Sequence, residues 1–307
     1  MTALWKNNFL IVTLILPLLF LACHSDTDVS VVDFSKTVAL KQPEDLQSET
    51  ASFRVAVGAM ISPRETVANY HQLLDYLAGN LDKSIHLIQR KTYGEINKLI
   101  GTGQIDLAFI CSGPYVTGKD TYGFKALAVP QIRGKHLYRS YLIVQKDSPY
   151  HQLSDLRGKV FAFTDPDSNT GKLVPTYWLA QHGETPVNFF DKTIYTYSHD
   201  NSIMAVATAL VAAAAVHEQI WEYYNDRDPF YTSQTRIIKK SISFGNPLMV
   251  ASSYLLDPLK DRIRHLLINM HHNSEGQKIL SGLMIDRFIL PEEDWYQPIL
   301  AMQKKCK

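Results

Sequence analysis

Short apolar runs alternate with helix-forming segments from residue 53 onward, and this alternation restricts the chain to a small set of folds. Residues 53–58, 85–88 and 105–110 are short and apolar, as is typical of buried strands. Between them, Ser62 to Glu65 and Thr92 to Glu95 each combine a capping hydroxyl with a glutamate three residues later, which indicates two helix starts. This β-α-β-α-β order predicts an α/β fold with a mainly parallel sheet flanked by helices.

The same alternation continues along the rest of the chain. Further strands are predicted at residues 137–144, 159–163, 193–197, 211–216, 237–243 and 248–252, and helices at 172–181, 202–210, 257–272, 275–283 and 292–304. Ligands of such sheets bind at the carboxyl ends of strands, close to the first turns of helices. Residues 165–171 join a predicted strand to a predicted helix, so they lie where a ligand is expected.

Composition excludes several classes of function. The chain has 307 residues, 46% of them hydrophobic, and a net charge of +1. That length allows one large domain or two ordinary ones, and the near-neutral charge argues against a nucleic-acid partner. Three cysteines, Cys23, Cys111 and Cys306, show no spacing typical of a metal site or a redox pair. No dinucleotide, nucleotide-phosphate, serine-hydrolase or zinc-protease motif is present, so neither a cofactor nor a metal is predicted.

The N-terminus carries an export signal. Lys6 precedes an apolar run, residues 9–22, that is shorter than the ~20 residues of a comfortable membrane span. It fits the hydrophobic part of a signal peptide. The ending Phe20-Leu21-Ala22-Cys23 resembles a bacterial lipobox, although Phe20 stands where leucine is usual; the resemblance implies a lipid on Cys23 and a membrane-anchored, exported protein. A cleaved signal with a chance cysteine is the alternative. Residues 23–52 are polar and are predicted to form a flexible tether.

The loop at residues 165–171 has the chemistry of an anion site. Ser168, Asn169 and Thr170 carry hydroxyl and amide donors, and Gly171 allows the backbone to come close to a ligand. Free N–H groups at the helix start would point the same way. Simple capping of the helix by serine or threonine explains the same residues equally well on spacing alone.

Four segments together resemble one protein family. They are Ile-Ser-Pro-Arg-Glu-Thr at 61–66, Cys-Ser-Gly-Pro-Tyr at 111–115, Asp-Pro-Asp-Ser-Asn-Thr-Gly-Lys-Leu-Val-Pro at 165–175 and Ser-Phe-Gly-Asn-Pro at 243–247. The chain resembles the substrate-binding proteins of phosphate, phosphite and phosphonate ABC transporters. The resemblance implies a type 2 periplasmic-binding fold, in which two lobes are joined by two crossing strands. It places residues 53–141 and 248–307 in lobe 1 and residues 142–247 in lobe 2.

The resemblance also implies a set of ligand-binding residues. Besides the loop, Tyr93, Tyr138 and His199 match ligand contacts, and Ser112 and Tyr115 are expected to line a loop after a strand. Core packing is the alternative role for the tyrosines, and an incidental position beside a helix cap is the alternative for His199.

The far end of the implied pocket departs from part of the family. Members that bind aminoalkyl phosphonates place carboxylates near the ammonium, whereas the matching positions here hold Gln219 and Asn246, with His217 close by. Glu218 could supply a carboxylate only if the local register allows it. Because a desolvated cation needs a countercharge, these residues argue against an aminophosphonate and leave phosphate, phosphite, a simple alkylphosphonate or another oxyanion.

The function implied is binding rather than catalysis. The chain would capture a small oxyanion and hand it to an ABC permease and its ATPase. A sensory receptor of the same fold, acting with a membrane kinase or chemoreceptor, stays open as the alternative. An enzyme is less favoured: Ser198, His199 and Asp200 are adjacent and cannot form a triad, and Cys111 fits a buried small apolar residue better than a nucleophile.

Overall fold

The computed structural model describes residues 52–61 and 63–306. The predicted signal peptide, Cys23, nearly all of the predicted tether, and the capping box at Ser62 lie outside the described residues or their described side chains.

The elements follow the predicted alternation. The strands are β1 Phe53–Val57, β2 Ile85–Ile88, β3 Leu107–Ile110, β4 Lys125–Gln131, β5 Leu137–Tyr138, β6 Ser140–Gln145, β7 Val160–Phe163, β8 Lys192–Tyr195, β9 Ala213–His217, β10 Thr235–Lys240, β11 Phe244–Gly245, β12 Leu248–Ala251 and β13 Arg287–Ile289. The helices are α1 Pro63–Leu81, α2 Tyr93–Gly101, α3 Ser112–Tyr122, α4 Val174–Ala180, α5 Pro186–Phe189, α6 His199–Ala207, α7 Glu218–Arg227, α8 Asp257–Asn269, α9 Ser274–Gly282 and α10 Gln297–Lys305.

Two large sheets organise the described part of the chain. One has six strands in the order β13-β4-β12-β3-β1-β2, and the other has five in the order β10-β6-β9-β7-β8. We call the elements around the six-stranded sheet the first lobe and those around the five-stranded sheet the second lobe. The predicted α/β class is confirmed, while the exact lobe boundaries at residues 141 and 247 stay a prediction.

Both sheets are mixed, not mainly parallel as predicted, because the crossing strands and the strands beside them are antiparallel to their neighbours. Strand β1 pairs in parallel with β2 and β3, and β7 pairs in parallel with β8 and β9. The chain passes between the lobes through β5 and β6 and returns through β11 and β12. These crossing strands enter each sheet from the opposite direction, so β12 is antiparallel to β3 and β6 is antiparallel to β9.

The capping box at Thr92 forms as predicted. The Thr92 side chain accepts the backbone N–H of Glu95, and the Glu95 carboxylate accepts the backbone N–H of Thr92. These two bonds satisfy donors that a helix start leaves unpaired, which fixes the first turn of α2 and places Tyr93 at its first position.

Several elements were not predicted, and one prediction was wrong. Ser112 and Tyr115 do not line a loop; they belong to α3. Gly113, Pro114 and Gly118 weakened the helix signal there, although proline is tolerated in a first turn, where N–H groups have no helical partner. Strands β4 and β13 and the polar helix α7 were also missed.

No helix among the described residues is both long enough and apolar enough to cross a membrane.

The C-terminal helix joins the two lobes. Helix α10 packs against α3 of the first lobe and α4 of the second. Its buried Ile299 and Met302 share one apolar cluster with Tyr115 and Trp178. The apolar core is therefore continuous from one lobe to the other at this helix.

Candidate anion-binding site

The lobes contact each other at the loop of residues 165–171. Asp165 in this loop is buried, and its carboxylate accepts the backbone N–H of Tyr93 at 3.1 Å, at the start of α2 in the first lobe. On another path, the backbone N–H of His199 in the second lobe donates to the Met60 carbonyl at 2.9 Å. The loop also lies against the first turn of α3, where a Cβ added to Gly113 would be 2.6 Å from the Asp167 carbonyl oxygen. The loop therefore packs against the first turns of α2 and α3 in the first lobe.

Tyr138 connects the crossing strands to the loop. Its hydroxyl lies 2.5 Å from the Ser112 Oγ and accepts the Asn169 side-chain amide at 3.1 Å. Its ring stacks on His217, with 4.1 Å between the ring centroids. Burial raises the pKa of Tyr138 well above its usual value, so the hydroxyl stays protonated and can donate.

His199 is held as a neutral donor. Its Nδ1 accepts the backbone N–H of His217 at 3.1 Å and lies 3.2 Å from the Thr164 hydroxyl. Burial lowers the pKa of His199 to about 3, so the ring is uncharged near neutral pH. Because Nδ1 acts as an acceptor, the ring proton is on Nε2, and this atom is buried without a protein partner.

Other buried polar atoms beside these contacts also have no protein partner. They are the Tyr93 hydroxyl, Thr170 Oγ1 and Asn169 Oδ1. Burial raises the pKa of Tyr93 well above its usual value, so this hydroxyl too remains a donor. An unpaired buried polar group costs ~1–3 kcal/mol. The two hydroxyls and the His199 Nε2–H are donors, and together they fit a ligand that supplies several acceptor oxygens. The Asn169 Oδ1 is an acceptor and is not satisfied by such oxygens. We call Tyr93, Tyr138, Asn169, Thr170 and His199 the polar cluster.

Contacts within the second lobe explain the presence of Ser168 and Gly171 in the loop. The Ser168 Oγ accepts the backbone N–H of Gly171 at 3.0 Å and caps a π-helical turn that runs from Asn169 to Leu173. The N–H groups of Lys172 and Leu173 donate to the Ser168 carbonyl. A Cβ at Gly171 would lie 2.2 Å from the Thr164 hydroxyl oxygen, so glycine is required by packing inside the second lobe. The helix thus begins three residues earlier than predicted, and Ser168 serves as its cap.

Comparison with known proteins places the chain in a family. Residues 55–296 match the sequence model described as "ABC transporter, phosphonate, periplasmic substrate-binding protein". The chain belongs to this phosphonate-binding family. The resemblance inferred from the four sequence segments is thereby confirmed.

Individual relatives agree with this assignment. The phosphonates-binding periplasmic protein of Escherichia coli (strain K12) is 29% identical over 150 residues, which is 48% of this chain and 44% of that protein. The match to the phosphite-binding protein PhnD1 of Prochlorococcus marinus (strain MIT 9301) covers 61% of that relative. The chain thus aligns with about half to two thirds of the length of the curated relatives it matches.

Solved structures confirm the two-lobed type 2 periplasmic-binding fold. The binding-protein component of a Pseudomonas aeruginosa ABC phosphonate transporter superimposes with a TM-score of 0.78 and 22% identity, covering 83% of this chain and 86% of that one. The complex of Prochlorococcus marinus PhnD1 with methylphosphonate has a TM-score of 0.75 and 20% identity, covering 83% and 97%.

Three further residues predicted for the site lie at the crossing between the lobes. The Gln219 side-chain amide donates to Asn246 Oδ1 at 2.9 Å, and the Asn246 amide nitrogen donates to the Pro130 carbonyl at 2.9 Å. Both ends of the Asn246 side chain are therefore engaged by the protein. His217 caps α7 by accepting the Gln219 N–H at 3.2 Å, and together His217 and Gln219 line a cavity next to the polar cluster.

The two remaining candidates are directed elsewhere. The Glu218 carboxylate accepts the backbone N–H of Arg139 at 2.7 Å and the Tyr141 hydroxyl at 2.8 Å, so it is committed to the second lobe's own contacts. The Tyr115 hydroxyl donates to Glu293 at 3.2 Å. Neither contact involves the polar cluster.

Three residues support the site through contacts that the sequence did not indicate. Thr164 holds the His199 ring, and Asp165 joins the loop to α2. Cys111 lies 3.9 Å from the Tyr138 hydroxyl, and burial raises the pKa of its thiol. The Asp-Pro pair that opens the loop was the only local signal for Asp165. Among the described residues, no group of three His, Cys, Asp or Glu side chains is placed to hold a metal.

Proposed function

We propose that the chain is the solute-binding component of an ABC transporter and captures a small phosphorus oxyanion between its lobes. The observation that carries this proposal is the set of unpartnered donors in the polar cluster, at the place where the lobes meet. Family membership supports this proposal, as does the solved complex of Prochlorococcus marinus PhnD1 with methylphosphonate. The loaded protein would deliver its ligand to a membrane permease coupled to an ATPase.

The chemistry suits a tetrahedral anion. A phosphonate or phosphate head presents several charged oxygens, and the Tyr93 hydroxyl, the Thr170 hydroxyl and the His199 Nε2–H are each able to donate to one. Hydrogen bonds to a charged acceptor contribute ~1.5–3 kcal/mol each, so three of them supply about 5–9 kcal/mol. That range reaches micromolar affinity, which corresponds to about 8 kcal/mol.

The remaining predicted residues take supporting roles in this proposal. Asn169 and Tyr138 shape the head-group position, and the Asn169 amide would donate to the head group only after a rotation that exchanges its oxygen and nitrogen. Ser168 keeps the loop in place as a cap. His217 and Gln219 form the wall beyond the head group, and Asn246 fixes the crossing strands.

The proposal makes the chain a binding protein and not an enzyme. Burial raises the pKa of the Cys111 thiol beside the cluster, which opposes the thiolate form that nucleophilic attack requires. The proposal also includes export and a lipid on Cys23. Replacing Cys23 with alanine should release the protein from membranes, and continued membrane retention would refute the anchor.

Titration calorimetry with phosphate, phosphite and methylphosphonate tests the ligand class. We expect at least one of them to bind with micromolar or tighter affinity. The failure of all three to bind a folded sample would refute the phosphorus assignment. A transporter role further requires that the loaded protein stimulate its permease and ATPase.

A further inference from the structure

A mostly apolar cavity of about 110 Å³ adjoins the polar cluster. Apolar side chains of both lobes line it, among them Val57, Phe109 and Ile220. Its wall includes His217, whose ring centroid is 5.7 Å from that of His199 and 4.1 Å from that of Tyr138. The His217 ring therefore lies in the wall of the cavity and beside the ring of His199, which carries the donor Nε2–H.

Gly58 lies between the cavity and Tyr93 of the polar cluster. Gly58 lines the cavity, and a Cβ placed there would be 3.7 Å from the ring of Tyr93. A ligand whose head is held by Tyr93 and His199 would thus direct its substituent past Gly58 and His217 into the cavity.

The cavity offers no charge to a polar substituent. None of its lining residues is Asp, Glu, Lys or Arg. The adjacent carboxylate in the chain, Glu218, is already bonded to the Arg139 N–H and the Tyr141 hydroxyl. Burial lowers the pKa of His217 well below its usual value, so that ring is neutral as well. An ammonium group here would lose water without gaining a countercharge, whereas carbon would gain apolar contact.

We propose that this cavity receives a short uncharged hydrocarbon substituent, so that the protein selects alkylphosphonates over aminoalkylphosphonates and over phosphate itself. The inference rests on the proposed function, because it needs the phosphorus head to be held by the polar cluster. A cavity of ~150 Å³ can accept benzene, so the smaller space here suits a substituent of about three carbons.

A ligand series tests this selectivity on the full-length protein. Calorimetry would compare phosphate, methylphosphonate, propylphosphonate and 2-aminoethylphosphonate; the last two have nearly the same shape and differ by a methyl group against an ammonium. A buried methylene improves affinity about fourfold, so propylphosphonate should bind about 15-fold more tightly than methylphosphonate. It should bind at least about 100-fold more tightly than 2-aminoethylphosphonate, whose ammonium would be unpaired.

The outcomes separate the two proposals. If phosphate or methylphosphonate binds but propylphosphonate binds no more tightly, or 2-aminoethylphosphonate binds as tightly as propylphosphonate, the cavity inference is overturned and the proposed function stands. If no phosphorus compound binds, the proposed function itself fails.

A pair of variants on α7 locates the effect. Ile220 lines the cavity, whereas Asn225 on the same helix is exposed. Ile220→Trp should fill the space and reduce the ratio of propylphosphonate to methylphosphonate affinity from about 15 to near one, while Asn225→Trp should keep the ratio. An unchanged ratio in Ile220→Trp would show that the substituent lies elsewhere. The wild-type series decides the selectivity even if the tryptophan variant folds poorly.

Discussion

Gly113 offers a way to separate lobe contact from folding. It lies in the first turn of α3, and a Cβ added there would be 2.6 Å from the Asp167 carbonyl oxygen and 3.0 Å from the Asn169 nitrogen. Both atoms belong to the backbone of the loop in the second lobe. Carbon and oxygen atoms pack best at ~3.5 Å or more, so in Gly113→Ala the loop must withdraw from α3 by several tenths of an ångström.

The withdrawal acts on ligand binding more than on the fold. The same loop carries Thr170, which would move with it. It also carries Asp165, and the 3.1 Å hydrogen bond from the Tyr93 N–H to the Asp165 carboxylate would lengthen. Losing one hydrogen bond to a charged ligand costs ~1.5–3 kcal/mol, which corresponds to about a 10- to 150-fold loss of affinity. In contrast, alanine in a helix is more stable than glycine by ~1 kcal/mol, and withdrawal of the loop relieves the contact. We therefore expect weaker binding with an equal or higher melting temperature.

Calorimetry with methylphosphonate and thermal melting of the free protein measure the two effects. Gly79→Ala in α1 is the matched control, because a Cβ at that position would meet no atom within 4 Å apart from its chain neighbours and the backbone of its own helix. The control should bind like the wild type. If Gly113→Ala also binds within about twofold of the wild type, close contact between the loop and α3 is not needed for binding, and the proposed role of this contact in the site is refuted.

Three further predictions follow from the polar cluster and its neighbours. Thr170→Val removes a buried hydroxyl that has no protein partner, so it should leave stability unchanged or raise it while weakening phosphonate binding by about 10- to 150-fold. His199 should remain neutral with its proton on Nε2 from about pH 7 to about pH 5, as read from the nitrogen NMR signals of its ring, because its pKa is about 3. Asp165 has a pKa of about 6 against a usual 3.8, so the folded chain binds more protons in this interval and the residue adds stability as the pH falls through it. The melting temperature of Asp165→Asn relative to the wild type should therefore decline as the pH falls from about 7 to about 4.

Each of these has an outcome that contradicts it. A Thr170→Val protein that melts several degrees lower would assign the hydroxyl a structural bond. Protonation of His199 near its usual pKa would remove the argument for a fixed neutral donor. A difference in melting temperature that does not change with pH would show that the Asp165 carboxyl is not desolvated in the folded protein.

The sequence predicted best those elements whose signals are local. The capping box at Thr92 and Glu95 lies within four residues and forms as expected. Helix α3 was missed because Gly113 and Gly118 disfavour a helix locally, while tertiary packing needs both: a Cβ at Gly118 would lie 2.1 Å from the ring of Phe124. Contacts with residues distant in the sequence thus explain why glycine stands at two helical positions where local propensity disfavours it.

The site shows the same division between local and distant information. Ser168 and Thr170 are both hydroxyl residues in one loop, and only the π-helical turn makes the first a cap and leaves the second without a protein partner. The bond between Asp165 and the Tyr93 N–H joins residues 72 positions apart, so no sequence spacing could indicate it. The family pattern identified Tyr93, Thr170 and His199 together without revealing that their unpaired atoms distinguish them from their neighbours.

The neutral state of His199 has a consequence for how a captured anion would respond to its surroundings. No member of the polar cluster is a lysine or an arginine, and the histidine carries no proton on Nδ1. Counterions weaken attraction between exposed charges, but they find little to screen among uncharged dipoles that the touching lobes shield from water. The affinity for the anion should therefore depend only weakly on ionic strength, and such a site would retain its ligand at high and at low salt concentration.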